Sequence, residues 1–212
     1  MARYKIAPTK TSLFKIKREQ DFARQGHELL EQKREILVSE LMSLMDMAEF
    51  AQKEADEALM SAYHALEQAT IKMGHSRVDS ASMAVNVTAD LSIRKREIIG
   101  VDVPIVDVRF RDNPPYYSLK DTSFWLDETV ERFKKVLELL GKLAELKITV
   151  LRIAREVKKT ARRVNALEKI YLPDYRDTIK YITDVLEEQD RETFFVLKLI
   201  KSRLQETREA KV

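Results

Sequence analysis

From Leu13 to Ala69 the chain repeats an apolar position at alternating three- and four-residue intervals, in one phase, for eight heptads. The positions run Leu13, Ile16, Gln20, Ala23, His27, Leu30, Arg34, Leu37, Leu41 and Leu44, then alanines from Ala48 to Ala69. Only Gln20, His27 and Arg34 interrupt the stripe. A spacing this regular places the apolar side chains on one face of a helix, and its 3.5-residue mean is that of a coiled coil. At 1.5 Å per residue such a helix is about 90 Å long. A compact domain of this chain length is about 35–40 Å across, so the helix is expected to project. His27 and Arg34 are read as polar layers that fix the register of the coil at some cost in stability.

The residues that interrupt helices are few and clustered. The 212 residues include four glycines and five prolines, and Gly74, Gly100, Pro104, Pro114 and Pro115 all fall between 74 and 115. They divide the chain into an N-terminal helical segment, 1–73, an irregular connector, 74–121, and a C-terminal helical segment, 122–212. Asp121, Thr122 and Ser123 offer an N-cap to the last segment, and Asp127 and Glu128 suit its first turn.

The C-terminal segment carries a stripe of its own: Val150, Ala154, Val157, Ala161, Val164, Tyr171, Tyr175, Ile182, Val185, Val196 and Leu199. Glu168, Thr178, Gln189 and Glu192 interrupt it. Gly141 and Pro173 lie inside this segment and mark expected bends, since proline lacks the backbone donor of a regular helix.

The two long segments are expected to pair antiparallel. Lys147, Arg152, Arg155, Lys158, Lys159, Arg162 and Arg163 form a basic stretch, and 46–62 is acidic through Asp46, Glu49, Glu54, Asp56 and Glu57. Facing them sets residue 73 near 135, and Lys147 near Ser61. Each surface pair is weak, but together they favour one direction and rough register. The alanine run buries little apolar area and predicts a slender, more compliant stretch.

The connector reads as a β-hairpin. Met83, Val85, Val87, Ala89, Leu91 and Ile93 alternate with smaller or polar residues, and a β-branched run follows Arg94-Lys95-Arg96. Pro104 is expected at an edge or a bulge. An isolated hairpin is marginal in water, so this one is expected to pack on the helices or on a partner. The fold class predicted is mainly α: a long antiparallel two-helix coiled coil with a short β-hairpin in the middle.

Chemistry is sparse. There is no cysteine, so thiolate metal sites and disulfides are excluded. His27, His64 and His75 lack partners at metal-ligand spacing, and no glycine-rich phosphate loop or nucleophile motif is present. No catalytic residue, cofactor or metal is expected. With 44% hydrophobic residues and a net charge of +3 the chain is not of disordered type. No run of 18 apolar residues is present and the start has no apolar signal region, so a soluble intracellular protein is expected. Near-neutral charge argues against a nucleic-acid partner.

Particular strings then point to a family. Arg162-Arg163-Val164-Asn165-Ala166-Leu167-Glu168, Pro173, Thr178-Ile179-Lys180-Tyr181-Ile182 and Asp190-Arg191-Glu192-Thr193-Phe194-Phe195 resemble the D subunit of the V-type (vacuolar or archaeal-type) rotary ATPases. So do Pro8-Thr9-Lys10, Gly26-His27-Glu28-Leu29-Leu30 and Lys33-Arg34-Glu35-Ile36-Leu37. The resemblance implies a non-catalytic rotor shaft that couples ATP hydrolysis or synthesis in a catalytic head to ion passage through a membrane ring. The implied partners are the catalytic and regulatory head subunits, a small central-stalk subunit called F and a funnel-shaped subunit on the membrane ring. The chain would be cytoplasmic, peripheral to the membrane, without inserting into it. Lys10, Lys15, Arg18, Arg24, Lys201 and Arg203 are then candidates to contact the head. Leu91, Ile93, Ile99, Val101 and Pro104 are candidates for the hairpin or companion-subunit contact. A generic coiled-coil tether with the hairpin as docking module is the alternative.

Overall fold

The computed structural model describes residues 6–85, 87–111, 114–118 and 122–209, with side chains as far as 204. Asp121 of the expected cap lies outside these residues. The order is α1 (Lys10–Met73), α2 (His75–Ala84), β1 (Thr88–Ile98), β2 (Val101–Arg111), α3 (Phe124–Ala166), a π-helical turn (Leu167–Tyr171) and α4 (Leu172–Glu209). Long helical segments thus precede and follow a two-stranded antiparallel hairpin, as the periodicity predicts. Residues 35–158 form one compact unit, and 1–34 with 159–212 form another.

In the 35–158 unit, α1 and α3 run antiparallel along a continuous seam. Leu37, Leu44 and Ile153 form one buried cluster. Ala55 packs with Leu139 and Leu143 in a second, and Ala62, Ala65 and Ala69 are fully buried. The alanines therefore serve as small sockets, and at Ala55 large α3 side chains fill the space opposite. The register differs from the charge-based one. Lys147 Nζ donates to Gln52 Oε1 at 2.6 Å, while Ser61, expected near Lys147, instead takes Arg132 on its carbonyl oxygen and Oγ at 3.0 and 2.8 Å. The shift from Ser61 to Gln52 is about nine residues. Apolar interdigitation outweighs exposed charge pairing, each pair of which contributes about 0–1 kcal/mol.

The seam of α3 is wider than the predicted stripe. Val150 and Val157 pack on the Leu37 cluster and Val164 is buried, but Thr149, Ile153 and Thr160 are buried as well, while Ala154 and Ala161 are only partly so. Threonine enters the seam because its hydroxyl bonds its own helix. Thr149 Oγ1 donates to the Glu145 carbonyl at 2.8 Å, and Thr178, read as an interruption, donates to the Asp174 carbonyl at 2.7 Å.

The connector is more ordered than its sequence suggests. Gly74, at φ 82°, ends α1, and α2 then occupies residues read as the start of the β pattern, Met83 included. The strands pair from Thr88↔Arg111 to Ile98↔Val101. The turn residues Ile99 and Gly100 have φ of 52° and 78°, the double left-handed geometry of a type I′ turn. Gly141 lies within the unbroken α3. It leaves room for the hairpin: a Cβ there would lie 2.5 Å from Val108 Cγ2. Pro173, by contrast, follows a break in α-helical bonding. The chain takes a π turn, with the Leu172 N–H bonded to the Leu167 carbonyl, where proline cannot continue the ladder. Ser123 supplies the N-cap of α3, with the Trp125 N–H donating to its Oγ at 3.4 Å.

Candidate interaction surfaces

In the unit formed by 1–34 and 159–212, Ile16, Val164, Thr160, Thr178 and Ile182 are the buried seam. Lys10, in the first turn of α1, reaches Asp190 of α4 at 3.7 Å. Beyond this pair α4 continues to Glu209. Every residue from Glu187 to Leu204 is exposed. Among them Phe194 and Phe195 are 68% and 66% exposed, and Val196, Leu197, Leu199, Ile200 and Leu204 are similar. Val196 and Leu199, read as seam positions, are thus not covered by α1. α4 outruns α1, so no partner residue is left for them among the described residues.

These apolar side chains do not form one stripe. Phe194 through Leu197 are consecutive, so they point around the helix axis in all directions at about 100° per residue. A helix that is apolar all round is one surrounded on all sides when at work. The candidate cations lie in the same unit. Lys15 and Arg18 border an open groove of about 780 Å³, with Phe22, Gly26, Leu167 and Tyr171 on its walls. Arg24, Lys201 and Arg203 are exposed. The groove lies between the glycine of α1 and the π turn, so the turn shapes the surface here. His27 and Arg34 both turn to Glu31 on their own helix, at 3.8 and 2.7 Å. Nε2 of His27 is buried without a hydrogen-bond partner.

The hairpin forms the second surface, in the 35–158 unit. Its β2 edge is held by α3. The Val106 N–H donates to Glu145 Oε2 at 2.8 Å, and Arg152 Nη1 donates to the Asp102 carbonyl at 2.7 Å. Glu145 and Arg152 are seven residues apart on one helix face. Pro104 has the same strand parity as Asp102 and Val106, so its missing N–H falls on this edge and costs no ladder bond. Val101 packs on the Leu37 cluster, and Val103 and Pro104 are buried. Of the five hairpin candidates, Leu91 and Ile93 stand out into solvent, Ile99 is marginally exposed, and Val101 and Pro104 face into the fold. The sequence does not reveal the bonds from Glu145 and Arg152, because a charged helix residue paired with a strand edge leaves no periodic signal.

The loop before α3 is anchored where Tyr117 Oη donates to Asp127 Oδ1. Burial, and then the carboxylate, push the Tyr117 phenol above its ordinary pKa. Among the described residues no helix is long and apolar enough to cross a membrane, and no three His, Asp or Glu side chains group as a metal site.

The family model for the ATP synthase D subunit matches residues 12–202. The chain is 38% identical over 204 residues to the D subunit of the A-type ATP synthase of Pyrococcus furiosus, covering 95% of each chain. It is 36% identical to that of Thermococcus sibiricus, again over 95% of each. With that of Methanobrevibacter smithii it shares 36% identity over 94% of this chain and 88% of the relative.

Proposed function

The chain belongs to the ATP synthase D-subunit family, and from that premise we propose that it is the central shaft of a rotary ATPase, coupling the nucleotide chemistry of a catalytic head to ion passage through a membrane ring. It carries out no catalysis itself. It works by presenting an asymmetric surface in turn to head interfaces that are otherwise equivalent. In the cell it is cytoplasmic and peripheral to the membrane, held there by the complex.

The observation that carries this reading is the end of α4. Its apolar side chains point in every direction and none is covered by the described chain. A one-sided partner would need a single stripe, whereas a sleeve of head subunits encloses the helix all round. Lys10, Lys15, Arg18, Arg24, Lys201 and Arg203 add charge to this unit, and they contact the head as it passes. A small central-stalk subunit and the funnel-shaped subunit complete the stalk, with Leu91, Ile93 and Ile99 the hairpin residues free to meet a partner. His27 and Arg34, each paired with Glu31 on their own helix, are the polar positions in the stripe of the shaft.

Co-purification tests the reading. The full chain should bring down the head subunits and the small stalk subunit together. A variant with Phe194→Ser and Phe195→Ser should lose the head and keep the small stalk component. Retention of the head by that variant would remove the basis for the sleeve.

A further inference from the structure

The hairpin has two edges and only one is occupied. Backbone groups along a strand point alternately toward one neighbour and the other. Val106 N–H and the Asp102 carbonyl turn outward to α3. Their pairing partners Ile93 and Glu97 belong to the same class of non-hydrogen-bonded pairs, as do Leu91 and Lys95. The N–H and C=O groups of Leu91, Ile93, Lys95 and Glu97 therefore point outward from β1. Nothing among the described residues meets them, for the sheet has two strands.

This edge lacks several of the usual protections. Strands exposed at an edge are blunted by bulges, prolines, short length, a covering element or charged side chains, and of these β1 has only charged side chains, chiefly those of residues 94–96. β1 pairs over eleven residues with no bulge and contains no proline. Every residue from Thr88 to Glu97 is exposed. Leu91 and Ile93, 64% and 69% exposed, sit on one face of the strand. Beside them Arg94, Lys95 and Arg96 are exposed and hold no ion pair among the described residues. Of the nearby acids, Asp90 pairs with Arg111 and Asp107 with Arg109, and with Glu97 counted the stretch 94–97 stays net basic.

We propose that the free edge of β1 is a docking site for an extended, acidic segment of a second protein, which joins the hairpin as a third strand. The guest carries carboxylates opposite residues 94–96 and apolar side chains opposite Leu91 and Ile93. Main-chain bonds supply affinity, and the side-chain pattern supplies selectivity. A second copy of this chain is a poorer guest where it pairs through the same basic stretch. Self-pairing centred on Lys95 would set three cations against three, and like charges directly opposite destabilise a sheet. The docking site is independent of the rotary reading, because it belongs to the isolated chain.

The probe is an eleven-residue peptide with three central glutamates and one apolar end, and the same peptide with lysines in their place. Each is added to the full-length chain and backbone amide exchange is followed by NMR. The glutamate peptide should slow exchange at Leu91, Ile93 and Lys95 at least 10-fold, while the lysine peptide leaves them unchanged. Ile93→Pro removes one outward donor and no ladder bond, so it should abolish peptide binding while Ser92 and Arg94 stay protected. Arg94→Glu with Arg96→Glu should exchange the preference between the two peptides. No protection by the glutamate peptide at millimolar concentration would overturn the proposal. So would equal binding of both peptides, or undiminished binding to the Ile93→Pro chain with its ladder intact. The outcome does not depend on head assembly, so failure here and failure of the shaft reading are separable.

Discussion

Gly141 lies beneath Val108, so close that a Cβ on the glycine would be 2.5 Å from Val108 Cγ2. The hairpin and the shaft helix are fitted together at this point. Gly141→Ala in an ordinary helix would add about 1 kcal/mol of stability. Here it should lower stability, because valine is stiff at χ1 and cannot move its methyl aside. Val108→Ala should restore the lost stability in the double variant. Thermal melts of the four proteins check this, and a stabilised Gly141→Ala chain would contradict it.

Ile99 should be an unfavourable residue for its turn. A β-branched side chain at φ 52° is an outlier, and such strain costs on the order of 1–3 kcal/mol. Ile99→Asn or Ile99→Gly, which suit a type I′ turn, should raise the urea midpoint with an unchanged slope. A lower midpoint would mean that the packing of Ile99 outweighs its strain.

Phe194 and Phe195 should matter to assembly and not to the fold. Neither belongs to the core. Replacing both with serine should leave the melting temperature of the isolated chain within about 2 °C, since surface changes typically stay within ±0.5 kcal/mol. Coupled ATPase activity reconstituted by mixing this chain with the other subunits should fall at least 10-fold.

Charge at the start of α1 should act through the partner as well. The ion pair from Lys10 to Asp190 is strongly exposed and contributes at most about 1 kcal/mol. Lys10→Glu with Lys15→Glu and Arg18→Glu should therefore cost the chain little stability. The same variant should weaken head binding, more at low salt than at high salt, because screening shortens the reach of exposed charges. Salt-independent binding equal to the parent's would count against a charged contact.

The helices and the hairpin are legible in the sequence, because each has a period: 3.5 residues along Leu13–Ala69 and two residues along β1. The antiparallel direction is legible from the opposed charges of 46–62 and 147–163. Register is not. It rests on how Leu139 and Leu143 fill the space at Ala55, and a charge pattern reports only a weak part of that energy. The buried threonines escape a reading by polarity because a side-chain hydroxyl can be satisfied by its own helix, as Thr149 and Thr178 are. Glycine weakens helices, so Gly141 reads as a bend, yet its role is to admit Val108, a contact 33 positions distant in sequence. Pro173 is the better guide, since its missing donor forces a local change wherever it stands, and the π turn lies directly before it. At the surfaces, composition names the cations and the aromatic pair. That α4 outlasts α1 becomes visible only with Lys10 opposite Asp190.

The central claim is that this chain turns inside the head and carries torque. The direct test fixes the head subunits to a surface, attaches a bead to the hairpin of this chain, and follows the bead under a microscope when ATP is added. Continued rotation in one direction is the predicted result, stopping when the Phe194→Ser, Phe195→Ser chain replaces the parent. A bead that stays still while the bound head hydrolyses ATP would contradict it.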